Sequence, residues 1–207
     1  MATRRAEIRA SRRQSREQIV SAATDLVRSV SFAELTVDEV MREAGMSRTI
    51  FYRHFDDLAD LLLRAGREAI EELFEAQRAF GEAPIADGPD AIRSAFVPAV
   101  AVYSRHGPLL RAIAEAGAAD EEIAAGQQAV RQRFADLAEA ALRGMPDVAA
   151  NPPADLSETA RALNLMNEAY LLDAFGREPR VPAERVVQTL TEIWMAVAHP
   201  GKERHAE

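Results

Sequence analysis

Apolar residues recur along most of the chain at three- and four-residue intervals, the period of a helix with one buried side. Val37, Val40, Met41 and Ala44 form one such stripe. A Thr36-x-x-Glu39 capping box precedes it, and Gly45 follows it where a helix can close in a left-handed residue. Ser47 then stands as the cap of a second short helix. At 100° per residue, Arg48, Thr49, Tyr52 and Arg53 of that helix share one arc. Ile50, Phe51, His54 and Phe55 share the other. The pattern predicts two short helices joined by a tight turn, with the apolar arc packed inward and two guanidinium groups, a hydroxyl and a phenol facing out. Such groups suit phosphate oxygens and base edges. An ordinary helical hairpin with a solvated face fits the same spacing.

The rest of the chain reads as helix after helix. Ser15-x-x-Gln18 is a second capping-box candidate, opening a helix to about residue 30 with Ile19, Ala23, Leu26 and Val27 inside. A long helix is expected from Asp56 or Asp57 to Phe80, and a loop over 81–89, which holds two Pro and two Gly. Further helices are expected over 90–105, with a kink at Pro98, then over 108–116 after a break at Gly107-Pro108. The periodicity places others over 120–143, 155–175 and 182–198, with 144–154 as a loop. About nine helices result, an all-α fold. The domains expected are a flexible basic arm over 1–14, a helix-turn-helix domain over 15–60, a ligand-binding and dimerisation domain over 61–199, and a tail over 200–207.

Composition fits this. Of the 207 residues 48% are hydrophobic, and Ala, Leu, Glu and Arg dominate. Cysteine is absent, which removes disulfides, thiolate zinc sites and a cysteine nucleophile and fits a reducing cytoplasm. No apolar run is long enough to span a bilayer, and the first residues lack the apolar core of a secretory signal. The net charge of −8 argues against a nucleic-acid partner, but its distribution does not. Residues 1–55 hold ten Arg and seven Asp or Glu, a balance of +3, whereas residues 56–207 carry −11. A basic head on an acidic body results.

Two later segments carry candidate chemistry. Asn164, Asn167 and Glu168 lie on one helix face beside Leu171, among apolar neighbours. They could orient a ligand, or form a satisfied structural network. In the last helix Val186, Leu190, Ile193 and Val197 form a stripe that Val187, Trp194 and Ala198 widen. An arc this broad can serve the core on one side and a second copy on the other, so this helix and the one before it are the expected dimer contact. A helix pair buried within a monomer is the alternative. The four histidines show no metal spacing, and no HExxH, phosphate-binding glycine loop or GxSxG is present, so neither metal nor cofactor is expected and the chain is not read as an enzyme.

The stretch LTVDEVMREAGMSRTIFYRHF, with the helices on either side, resembles the DNA-binding domain of the TetR family of transcriptional regulators. ARALNLMNEAYLLDAF and VPAERVVQTLTEIW are similar to the subgroup of the mycobacterial ethionamide-resistance repressor. The resemblance implies a homodimeric, ligand-responsive repressor on a palindromic double-stranded operator, released by a small apolar effector. It implies that Arg48 and Thr49 approach bases, that Tyr52, Arg53 and His54 approach phosphates, and that Thr36 and Ser47 meet the backbone. It also places Tyr103, Phe134, Asn164, Asn167, Glu168, Leu172 and Trp194 around the effector. Arg131 falls where the subgroup is apolar, and Leu58 stands where the family usually has a lysine. An activator, a helical enzyme using Glu168, or an interaction module for acidic or membrane partners are the alternatives to a repressor.

Overall fold

The computed structural model describes residues 2–82 and 88–199. Among them are nine α-helices, one 3-10 turn and no strand: α1 (Ala2–Leu26), the 3-10 turn Phe32–Glu34, α2 (Val37–Glu43), α3 (Arg48–Phe51), α4 (Leu58–Glu82), α5 (Pro89–Gly117), α6 (Glu121–Arg143), α7 (Pro146–Ala150), α8 (Leu156–Gly176) and α9 (Ala183–Ala198). The expected all-α fold is therefore observed. The described residues divide into two compact units, one within Met1–Glu68 and Pro108–Ala124, the other within Ala69–Gly107 and Ala125–Glu207. The expected 81–89 loop is described only at its ends, and the 200–207 tail lies outside the described residues.

In the first unit, Ile19 and Ala23 of α1 and Val27 just beyond it close over Val40 and Met41 of α2, with Phe51, Phe55, Leu61 and Leu62. Phe51 and Phe55 are essentially inaccessible to solvent. Burying a side chain of that size contributes roughly 1.5–3 kcal/mol. The C-terminal part of α5 adds Leu109, Ala112 and Ile113 to this core. Arg111 of the same stretch is 8% exposed and donates to the Val27 and Val30 carbonyls at 2.8 and 3.0 Å. Those carbonyls lie at the end of α1, where no intrahelical partner remains. Arg111 also pairs with Glu115 at 2.5 Å, and Glu115 accepts from the Phe32 N–H at 2.8 Å.

Three expectations about helix boundaries need correction. Residues 2–14 are not a flexible arm but the first half of α1. Their alanine, arginine and glutamate content favours helix. Ser15 caps nothing, since its hydroxyl donates to the Ser11 carbonyl one turn back. The break at Gly107-Pro108 is also absent, and α5 runs through Pro98 and Pro108 alike. Pro108 cannot donate to the Ser104 carbonyl four residues earlier. Arg180 Nη1 takes that acceptor instead, at 2.8 Å. Gly107 serves close packing: a Cβ there would come within 2.3 Å of the Phe175 carbonyl oxygen. The chain passes from one unit to the other at this Gly-Pro step without leaving the helix. The 144–154 segment, expected as a loop, contains the short α7, with Pro146 at its first turn.

In the second unit, α5 contributes Phe96, Val100 and Tyr103 to the interior, α8 contributes Leu163, Leu171 and Phe175, and α9 contributes Val186, Leu190 and Trp194.

Candidate nucleic-acid interface and effector site

The short helices α2 and α3 are built as their sequence predicts. Thr36 Oγ1 accepts from the Glu39 N–H at 3.2 Å. The Glu39 carboxylate accepts from the Thr36 N–H at 3.1 Å and from its hydroxyl at 2.7 Å. Gly45 has φ of 67°, and the Met46 N–H donates to the Met41 carbonyl at 2.9 Å, which closes α2 with a Schellman-type turn. Ser47 occupies the cap of α3 in extended conformation, but its hydroxyl makes no capping bond. α3 proper is four residues long, and the chain beyond Phe51 continues in turns.

The predicted division of faces holds. Phe51 and Phe55 are buried, while Ser47, Arg48, Thr49, Tyr52 and Arg53 are exposed. Arg48 reaches Asp38 of α2 at 3.3 Å and the Tyr52 hydroxyl at 3.1 Å, with its guanidinium over the Tyr52 ring at 5.7 Å. These contacts lie in solvent, where such pairs contribute little. They aim the side chains without committing them. His54 is half-buried, and burial together with Arg12, Arg16 and Arg53 holds its imidazole below the ordinary range. The Arg12 and Arg16 contribution to this surface has a signal in the sequence, an arginine spacing that reads as one helix face once residues 2–14 are helical.

Leu58 opens α4. The acids around it are engaged in that helix start. Asp57 accepts from the Asp60 N–H at 2.8 Å, and Asp60 accepts from the Asp56 N–H at 3.2 Å and pairs with Arg64 at 2.6 Å.

In the second unit the expected effector residues partly converge. The Arg131 guanidinium grips Glu168 through two bonds of 2.7 and 3.1 Å. Tyr103 is buried beside this pair, and burial, reinforced by the Glu168 charge, pushes its phenol up. Asn164 donates to the Arg131 carbonyl at 3.2 Å. Asn167 is buried and accepts from the Trp194 indole N–H at 3.3 Å, and the Trp194 ring meets Phe96 edge-on at 5.7 Å. Phe134 stands apart from this polar set in its ring contact, stacking on Phe74 at 4.3 Å. Leu172 is half-buried one turn beyond Glu168. All three polar residues of the α8 face therefore have partners inside the unit. Which residues partner Phe134, Trp194 and Arg131 carried no signal in the sequence, because each contact joins residues dozens of positions apart.

The dimer stripe needs correction. Val186 and Leu190 are fully buried within the chain and have no surface left for a second copy. Ile193 and Val197 keep part of theirs, and Leu165 of α8 is 37% exposed. The stripe is the core face of α9, and only its edge faces outward.

Residues 19–65 match the family described as bacterial regulatory proteins, tetR family. Residues 91–199 match the C-terminal domain of the transcriptional regulator EthR. The chain is 30% identical over 182 residues to the HTH-type transcriptional regulator EthR of Mycobacterium tuberculosis strain H37Rv, spanning 86% of this chain and 83% of that protein.

The chain is a TetR-family transcriptional regulator.

The regulator is equally 30% identical, over 179 residues, to EthR of Mycolicibacterium smegmatis, spanning 86% of this chain and 82% of that one. Its fold is shared more widely. The TetR-family regulator PfmR of Thermus thermophilus superposes with a TM-score of 0.71 at 20% identity, covering 90% of this chain and 99% of that one. SmeT, the repressor of the Stenotrophomonas maltophilia efflux pump SmeDEF, gives 0.64 at 21% identity, covering 87% and 88%. No helix among the regulator's described residues is long and apolar enough to cross a membrane.

Proposed function

We propose that this regulator is a repressor that binds a palindromic operator as a dimer and lets go when a small apolar effector occupies its second unit. The observation that carries the DNA half is the face of α3: Arg48, Thr49, Tyr52 and Arg53 stand exposed above the buried Phe51 and Phe55. Arg48 and Thr49 are the base-reading side chains. Tyr52, Arg53 and His54 serve phosphates, and Thr36 and Ser47 meet the backbone at the two helix starts. Thr36 does so in competition with Glu39, which already holds its N–H and hydroxyl.

The effector half rests on Tyr103, Asn164, Asn167, Glu168 and Trp194, a polar set within the apolar second unit, with Phe134 and Leu172 as apolar contacts. Arg131 is paired with Glu168, so the set is neutral as a whole and suits an uncharged molecule better than an acid. An effector acts only through a difference in its affinity for the two states. The helices α4 and α5 belong to both units and give it a covalent path. The second copy meets α8 and α9 at Leu165, Ile193 and Val197, the part of these helices left uncovered.

Footprinting on the DNA upstream of the regulator's own gene, with selection from random duplexes alongside, tests this reading. Protection of a two-fold symmetric site, lost at high salt, is the expected result. Absence of any preferred sequence in both assays would overturn it. A reporter driven from that site gives the sign, since activation rather than repression depends on where the site lies.

A further inference from the structure

The basic N-terminal segment differs from its expected form in a way that has a use. It is helical, and its exposed positions are not random. At 100° per residue, positions 9, 12 and 16 of α1 fall within about 60° of one another, and all three are arginine. The same arc continues into Ile19, Ala23 and Val27, which are fully buried against the helix-turn-helix core. One face of one helix therefore changes from core to arginine toward its N-terminus. Arg9, Arg12 and Arg16 are exposed. Arg12 and Arg16 act electrostatically on His54 together with Arg53, so the arginine face is continuous with the end of the recognition segment. Arg13 is outside this face and is engaged with Glu17 at 2.7 Å.

We infer that the first half of α1 is a rigid phosphate rail that extends the DNA contact of α3 along the duplex backbone. This inference rests on the DNA-binding reading above and adds to it a second contact surface with fixed geometry. From position 9 to position 16 the helix rises about 10 Å. The duplex offers one phosphate per strand about every 3.4 Å of its axis, so several phosphates lie along that length. A helix held by its own core contacts keeps its arginines in order before DNA arrives. A flexible arm of the same composition would lose that order and the affinity that preorganisation supplies. Phosphate contacts carry no sequence information, so the rail raises affinity for every duplex and leaves the operator preference to α3. An anionic membrane also attracts arginine, but the continuity with Arg53 and His54 favours DNA.

The test uses the full-length protein, an operator duplex and an unrelated duplex, at several salt concentrations. R9Q/R12Q/R16Q keeps helix-forming residues and removes three charges. It is expected to weaken binding to both duplexes by a similar factor, at least tenfold, and to flatten the plot of log affinity against log salt by roughly 0.9 for each phosphate no longer neutralised. The ratio of operator to unrelated affinity stays unchanged. A second variant, Gln14→Pro, keeps every arginine and breaks the helix between Arg12 and its buried half. It is expected to lose most of the same affinity while far-UV circular dichroism shows the remaining helices intact. An unchanged salt slope in the triple variant would overturn the rail, as would wild-type affinity in Q14P or binding of wild type to anionic phospholipid vesicles with no change in DNA affinity in either variant. If wild type shows no preferred sequence, the operator reading fails, yet the comparison on the unrelated duplex still decides the rail.

Discussion

The two polar surfaces of this regulator are organised in opposite ways. On α3, Arg48 and Tyr52 are exposed, and their contacts with each other and with Asp38 are long and solvated. On α8, Asn164, Asn167 and Glu168 face inward, and each is bound to a neighbour within its own unit. The first surface is prepared for a partner that arrives from water. The second is complete without one, so a molecule entering there must offer enough to displace bonds already made. The difference suits the proposed function, in which DNA binding is the default output and the effector is a conditional input.

The largest effect that could break this comparison concerns an arginine of neither surface. Arg111 is buried in the first unit and holds the Val27 and Val30 carbonyls that end α1. Arg111→Met is expected to cost about 3 kcal/mol, because it strands one buried and one part-buried acceptor and a charged partner. Urea unfolding followed by circular dichroism measures it. A loss below about 1 kcal/mol would mean that the end of α1 is held by its apolar contacts alone, and α3 would then rest on a looser frame than the one described.

Arg48→Ala gives the contrasting result. Its pair with Asp38 is exposed on both sides, so unfolding stability is expected to stay close to that of wild type. Operator affinity, read by gel shift, is expected to fall between roughly tenfold and a hundredfold, with relaxed preference at one position of each half-site. Equal losses on operator and unrelated duplexes would reassign Arg48 from bases to phosphates.

The inward surface is sharpened by a double-variant cycle. Arg131→Met leaves the Glu168 carboxylate half-buried and unpaired, and is expected to destabilise by roughly 1–2 kcal/mol. Glu168→Gln alone leaves Arg131 without its counter-charge, and the double variant is expected to recover part of both losses. A coupling near zero in thermal or urea unfolding would show that water already satisfies the pair, and the inner surface would then be as open as the outer one.

Much of this was legible in the residues, and the failures have physical causes. The capping box at Thr36, the left-handed Gly45 and the two arcs of α3 are local features, and each stands as the spacing predicts. Helix ends were less legible. Gly107-Pro108 reads as a break from local propensity, but Arg180, seventy-odd residues on, supplies the donor that the carbonyl of Ser104 loses. The stripe of Val186 and Leu190 was visible, but not which side of it the rest of the chain would cover. Periodicity states that a face is apolar and leaves open what packs on it. The same holds for Glu168, whose partner Arg131 lies 37 positions away on another helix.

The smallest expected effect separates the two surfaces by pH. His54 is lowered by its burial and by Arg12, Arg16 and Arg53. In the free protein it is therefore neutral in a range where an unfolded histidine, near 6.5, already takes up a proton. The sign for folding follows: the unfolded chain binds more protons there, so stability falls slightly as pH drops through about 6.5 toward the folded value. Phosphates placed near His54 act the other way, favouring the imidazolium. Proton uptake then accompanies DNA binding, and affinity rises as pH falls from about 8 to 6, by up to tenfold for each unit that the phosphates raise the imidazole. Gel shifts across that range measure it, and His54→Gln is expected to flatten the profile with its affinity close to that of wild type at pH 8. A rising affinity that survives His54→Gln would place the responsible proton elsewhere, and a flat wild-type profile would put His54 away from the phosphates.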